Sequence, residues 1–376
     1  MKIIIGGDVV PTENSKKYFA KKNFTDNIDP SFINMWHSAD VRLFNLECPI
    51  CGMKEALPIK KIGPNLSCDE KCMNGIEGLS PSLVCLANNH ILDYGVPGLK
   101  NTVNVLNKGG ISTTGLLDNI DAEPSIFFYS KDGLKVGIYN ICETEFCAAT
   151  HSNPGADPYR ENYSCEVIAR AKKECDFLIV VFHGGKEFYR YPSPDLQDKC
   201  RSFIRSGADY VTCQHSHCIG CEEEYLKGRI LYGQGNFLFD SGNDEFWNSG
   251  LAVELNIENK GFSVEYIVLE KKSPTFVLSE NEDIIKSFKN RSKKVYDREF
   301  IEKEYGKFAD RKIDEYLDIL STHTFFDKVY RKIFGRYLRR RRKQRDYLNM
   351  LNSIRCEAHR EALIRGLEDK ADAGKS

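Results

Sequence analysis

Residues 212–221 read TCQHSHCIGC, two histidines one residue apart among three cysteines. One reading is a cysteine–histidine zinc knot. The other is a His-x-His pair that serves a different centre, with the cysteines as packing residues. The flanking sequence bears on the choice. The apolar, β-branched run DYVTC before the histidines reads as a buried strand. Alternate residues of an extended chain share a face, so His215 and His217 can reach neighbouring ligand positions.

The same arrangement recurs outward from this stretch. Asp8 ends KIIIGGD (2–8), Glu47 ends VRLFNLE (41–47), Asn88, Asn89 and His90 end SLVCLANNH (82–90), and His183 follows DFLIVVF. Each apolar run has strand length and closes on a metal-ligand residue type. Helical spacing appears between them, in GVPGLKNTVNVLNKGG (95–110), SCEVIARAKKEC (164–175) and SPDLQDKCRSFIRSG (193–207). Strands alternating with helices predict an α/β domain with a largely parallel sheet, whose sites form outside the carboxyl ends of the strands. The ordered set Asp8, Glu47, Asn89–His90, His183 and His215-x-His217 therefore predicts a metal centre at one sheet edge. GLAVELNIENKGFSVEYIVLEKK (250–272) reads as a hairpin turning at Asn259–Gly261.

The chain has 376 residues, 14 cysteines and a formal net charge of −1. That charge gives no general pull toward nucleic acid or membrane, and no base-reading motif is visible. No run is long and apolar enough for a spanning helix, and MKIIIGGD is too short for a signal-peptide core. The plain expectation is a cytoplasmic protein with reduced thiols. Cys48-x-x-Cys51 and Cys68-x-x-x-Cys72 approach a zinc-ribbon spacing with one residue too many, and free thiols on an inserted loop are the simpler reading. Composition changes near residue 275, which predicts a domain over 1–275 and a basic helical region over 276–376. Residues 328–345 hold ten basic residues and no acidic ones. A solvated helix surface is one reading of that run; peripheral contact with an anionic membrane is the other.

The motifs GGDVV (6–10), NLECP (45–49), LANNHILDYG (86–95), HGGKEFYRYPSP (183–194), SGADYVTCQHSH (206–217) and ILYGQGNFLFD (230–240) resemble the capsule-synthesis CapA family (poly-γ-glutamate synthesis proteins) of the calcineurin-like metallophosphoesterase superfamily. The resemblance covers roughly residues 1–270. It implies a four-layer αββα sandwich followed by a C-terminal helical appendage. It also implies a ligand set: Asp8 and His217 on a first metal, His183 and His215 on a second, Glu47 between them, and Asn89 as the ligand asparagine. His90 would steady or protonate the reacting group, with Glu187 and Asp93 as further acid, base or orienting residues. One or two ions of manganese, iron or zinc would suit these ligands. The implied role is a metal-dependent hydrolase in capsule or cell-surface polymer synthesis, with a metal-activated hydroxide attacking a phosphoester or an amide-like bond. A non-catalytic metal-binding partner of a polymer synthase and a cytoplasmic phosphoesterase on a small substrate remain open. One departure stands out: position 10 is valine where the phosphoesterase pattern has a histidine.

Overall fold

The computed structural model describes residues 1–319 except 53–55, 62, 243 and 274, together with 344–355, 359, 364 and 367. Its strands are β1 (Lys2–Val10), β2 (Val41–Leu46), β3 (Leu83–Cys85), β4 (Ser112–Thr114), β5 (Leu116–Leu117), β6 (Phe127–Lys131), β7 (Leu134–Cys142) and β8 (Gly155–Ala156), then β9 (Phe177–His183), β10 (Tyr210–Gln214), β11 (Ile219–Tyr225), β12 (Gly228–Gln234), β13 (Asn236–Phe239), β14 (Ser249–Glu258), β15 (Gly261–Lys272) and β16 (Thr275–Leu278). Its helices are α1 (Lys16–Phe19), α2 (Pro30–His37), α3 (Met73–Gly78), α4 (Gly95–Lys108), α5 (Glu161–Lys172), α6 (Pro194–Arg205), α7 (Glu282–Lys294) and α8 (Arg298–Ile319), with a further helix at Gln344–Arg355.

Two main sheets form, not one, and β5 and β8 pair apart from them as a two-stranded antiparallel ribbon. The first runs β16-β15-β14-β1-β2-β3-β4, with β13 beside β1; the second runs β11-β12-β10-β9-β7-β6. Both are mixed. β1, β2, β3 and β4 are parallel, as are β7, β9, β10 and β12, while β14 and β15 form the antiparallel hairpin expected from the sequence.

Strand alternation builds the layers. In β1, Ile3 and Ile5 pack between the sheets with Val136, Ile179, Val181 and Leu231. Ile4 faces the other way, onto Phe19, Phe32, Trp36 and Leu106 of the helical side. On the far side of the second sheet, Val180, Phe182 and Val211 meet Val167 and Ile168 of α5 and Leu196 and Phe203 of α6. The order is helix, sheet, sheet, helix, the four-layer sandwich that the resemblance implied. Helix starts are set locally. Pro30 opens α2 while the Asp29 carboxylate accepts from Ser31 N–H and Phe32 N–H; Pro194 opens α6 while Ser193 accepts from Leu196 N–H.

The compact unit runs to Phe308, past the change of composition at 275. Helix α7 is charged outside, yet Phe288 joins the core between the sheets, and Val295 and Ile301 complete the outer core. The charge count therefore marks where the surface changes, not where the core ends. A second unit comprises residues 309–376. Of the basic run at 328–345, all but Gln344 and Arg345 lie outside the described residues, so the membrane-contact expectation falls there too. Among the described residues no helix is long and apolar enough to cross a membrane.

Close approach of backbone fixes Gly7. A Cβ there would lie 2.3 Å from the carbonyl oxygen of Gly235. Gly7→Ala is expected to lower stability by about 1–3 kcal/mol, the usual cost of overpacking, as read by thermal melting. An unchanged melting temperature would contradict this packing.

Candidate metal centre

The carboxyl ends of β1, β2 and β3 in one sheet and of β9 and β10 in the other open on the same edge of the sandwich. Asp8 sits within β1, where the pairing register slips beside it, so the strand continues to Val10. Glu47 follows β2, Asn88–His90 follow β3, and His183 ends β9. Asp8, Glu47, His183, His215 and His217 are all buried.

The His-x-His pair converges differently from the strand expectation. β10 stops at Gln214, and His215 (φ +83°) and His217 (φ +51°) are left-handed. A turn, not extended alternation, aims the two rings. Such backbone costs on the order of 1–3 kcal/mol per residue and persists where its surroundings hold it. Here His215 N–H donates to Asp8 Oδ2 at 3.2 Å, and Ser216 carbonyl accepts from Phe188 N–H at 2.9 Å.

Two overlapping groups result: Asp8, Glu47 and His217, and Glu47, His183 and His215. Within each, one ligand atom per residue lies within 4.8 Å of the others. Glu47 is common to both. Asn89 Oδ1 lies 3.0 Å from His183 Nε2, which puts a sixth ligand-type atom beside the second group. Asn45 ties the two sheets: its Nδ2 donates to Asp8 Oδ1 at 2.8 Å and lies 3.2 Å from His183 Nδ1. Asn88 Nδ2 in turn donates to Asn45 Oδ1 at 3.0 Å.

The electrostatics of this cluster are unfavourable for the protein alone. Burial, reinforced by the nearby Glu47 charge, pushes the Asp8 carboxyl up to about 7. Burial pushes Glu47 up to about 8. Burial also drives His217 down to about 3 and lowers His183 and His215. Neither oxygen of Glu47 accepts a hydrogen bond, and His215 Nδ1 has no partner. Buried polar groups are rarely left so. Orphaned carboxylate oxygens and neutral imidazoles at mutual ligand distance are what a divalent cation requires, so the residues present fit one.

His90 lies beside the cluster. Its Nδ1 is 2.6 Å from Asp93 Oδ2, and Asp93 is fully buried. The buried ammonium of Lys61 pairs with Asp93 Oδ1 and lies 3.2 Å from His90 Nδ1. Glu187 is exposed on the loop after β9, and its charge contributes to the raised Glu47 carboxyl.

Three participants were not singled out from the sequence. Asn45 and Asn236 lay inside quoted motifs, NLECP and GQGNF, where their polarity amid apolar neighbours was the available signal. Asn236 Oδ1 pairs with His217 Nδ1 at 2.9 Å. Lys61 comes from the loop after β2, and nothing in its spacing marks it. The cysteines take no part in the metal groups found among the described residues. Cys213 and Cys221 belong to the outer core and Cys218 is buried. Cys51 N–H donates to Cys68 carbonyl, which brings the two spaced pairs side by side.

The model of the family described as bacterial capsule synthesis protein PGA_cap matches residues 2–241, more than half the chain. The capsule biosynthesis protein CapA of Bacillus anthracis is 26% identical over 224 residues, 57% of this chain and 54% of that protein. The PGA biosynthesis protein CapA of Bacillus subtilis is 26% identical over 275 residues, 71% of each chain. The chain thus spans about half the length of the first of these relatives. A phosphatase from Mycoplasma pneumoniae superposes with a TM-score of 0.46 at 15% identity, over 73% of this chain and 95% of the other. With the family match covering Asp8 through the GQGNF segment, the chain belongs to the bacterial capsule synthesis PGA_cap family.

Proposed function

We propose that the two groups around Glu47 hold one or two divalent cations, and that the chain is a metal-dependent hydrolase in the synthesis of a capsule or cell-surface polymer. The polymer or its precursor would be the substrate, and a polymer synthase the partner. The observation that carries this reading is Glu47, a fully buried carboxylate shared by both groups with neither oxygen hydrogen-bonded.

Divalent cations so held supply activation of a water and electrostatic stabilisation of the reacting group. The chain's own residues do the rest. Asn45 restrains Asp8 and His183 across the sheet boundary. Asn236 holds the proton of His217 on Nδ1, leaving Nε2 as the lone-pair nitrogen. Asp93 does the same for His90, so that its Nε2 can accept a proton or, once charged, deliver one to a leaving group. Lys61 balances the Asp93 charge.

Val10 favours a second reading. It is buried in the helix-side core, so position 10 contributes no donor to the first group. A weakened first site suits a structural or regulatory metal in a non-catalytic partner of a synthase. The test is elemental analysis of protein purified without chelator, followed by a panel of phosphomonoesters, phosphodiesters and γ-glutamyl peptides. One to two equivalents of transition metal are expected, falling to background in a His215→Ala/His217→Ala variant. Metal with turnover of one substrate class supports the hydrolase; metal without turnover supports the second reading; a metal-free wild type defeats both.

A further inference from the structure

The loop between β13 and β14 brings Trp247 flat against a ligand-type histidine. The indole stacks on the His217 ring with centroids 4.7 Å apart and planes 23° from parallel. Phe239 meets the same imidazole edge-on at 5.3 Å. Phe188 stands 5.8 Å from Trp247 and 6.0 Å from His217.

The loop is built to keep the indole there. Asp244 Oδ1 accepts from Phe246 N–H at 2.9 Å and from Trp247 N–H at 3.3 Å, which turns the chain just ahead of the indole. Gly242 lies directly beneath the ring, where a Cβ would come within 2.3 Å of Trp247 Cδ1. Phe188 adopts φ +58°, uncommon for a bulky residue, and its N–H donates to the carbonyl of Ser216, between the two histidines. His217 is itself left-handed, with a single hydrogen bond, at Nδ1, to set its tilt. One bond at Nδ1 still leaves the ring some libration about Cβ–Cγ. A ring stacked on one face removes the freedom.

We propose that Trp247 is the positioning residue of His217, locking the plane of the imidazole so that its ligand nitrogen stays within reach of Asp8 and Glu47. This rests on the metal-binding reading above. Trp247 acts through His217, as groups around a metal's ligands commonly do.

The stack also supplies the readout. The chain has two tryptophans, and the other, Trp36, is fully buried in the helix-side core. Co²⁺ is paramagnetic and quenches an indole stacked on its ligand. The 376-residue chain is stripped with chelator and titrated with Co²⁺, following tryptophan emission and, in parallel, binding by calorimetry. Wild-type emission is expected to fall as the site fills, whereas Trp247→Phe, which retains Trp36, keeps its emission. Trp247→Ala is expected to weaken Co²⁺ binding by about 10-fold, the lower end of the effect of groups that orient ligands. Trp247→Phe restores most of that loss, because a phenyl ring can still stack. Wild-type emission unchanged while calorimetry records binding overturns the proposal, as does Trp247→Ala binding Co²⁺ as tightly as wild type. In both cases the metal site itself stands. A wild type that binds no Co²⁺ overturns the metal-binding reading and this proposal together.

Discussion

Glu47→Gln should remove both cations at once, where a change at His217 or His183 should affect one group. Glu47 is the residue common to the two groups, and a neutral amide offers one weak oxygen in place of two charged ones. Loss of metal affinity of at least about 100-fold is expected, above the range for residues that only orient ligands. Metal content after dialysis should fall to background, and turnover on any substrate that the wild type accepts should fall with it. The same variant should not unfold. In the metal-free protein Glu47 accepts no hydrogen bond, so the amide replaces a buried acid whose ionised form burial disfavours. The metal-free variant is therefore expected to melt at or above the metal-free wild type at pH 7, and clearly above it at pH 9, where the wild-type carboxyl is ionised. Elemental analysis and melting curves, each with and without chelator, check this. Unchanged metal content in Glu47→Gln would remove Glu47 from the centre. A large loss of stability without metal would make it a structural acid instead.

The reason Glu47 could be picked from the sequence is also the reason other residues could not. Glu47, Asp8, His183 and the histidine pair each close a mainly apolar run of strand length, and a charged or ligating residue at such a boundary is conspicuous. The strands β1, β2, β9 and β10 were legible for the same reason, since each carries an apolar run, whereas the four layers came from the family resemblance. The second sheet was harder. Its edge strands β6 and β11 carry exposed polar residues, and only pairing with β7 and β12 makes them strands. Lys61 and Trp247 were invisible because their roles are long-range. Lys61 reaches Asp93 from a loop of irregular composition, and Trp247 stacks on a histidine thirty residues earlier in a different sheet. The turn at His215–His217 was misread as extended because no glycine announces its positive φ values. The histidines themselves take the left-handed backbone, a choice that tertiary contacts impose and local propensity does not reveal.

Stability against pH in the metal-free protein should show the cost of assembling these groups. Glu47 is raised from 4.5 to about 8 and Asp8 from 3.8 to about 7. A carboxyl whose folded pKa is raised holds its proton longer folded than unfolded, so stability falls as pH rises between the two values. The histidines oppose this. His217 is depressed from 6.5 to about 3, so the unfolded chain takes up its proton first, and stability rises with pH over that interval. Below pH 6.5 the two trends offset one another. Above 6.5 the imidazoles are neutral in both states and only the carboxyls still titrate. The expected net effect is a loss of about 2–3 kcal/mol between pH 6.5 and 8, at about 1.4 kcal/mol per pH unit for each carboxyl still protonated. Urea unfolding in chelator across that range measures it. Glu47→Gln should remove about half of the slope, leaving the part due to Asp8 and to Asp157, a buried acid elsewhere in the fold that is also raised to about 7. Saturating divalent metal should abolish the Asp8 and Glu47 contributions, because a cation displaces the same protons and must bind more tightly as pH rises toward 8. A flat or rising profile in chelator would mean that Asp8 and Glu47 are already ionised without a cation. The buried carboxyls of Asp8 and Glu47 would then not be the centre's driving force for holding metal.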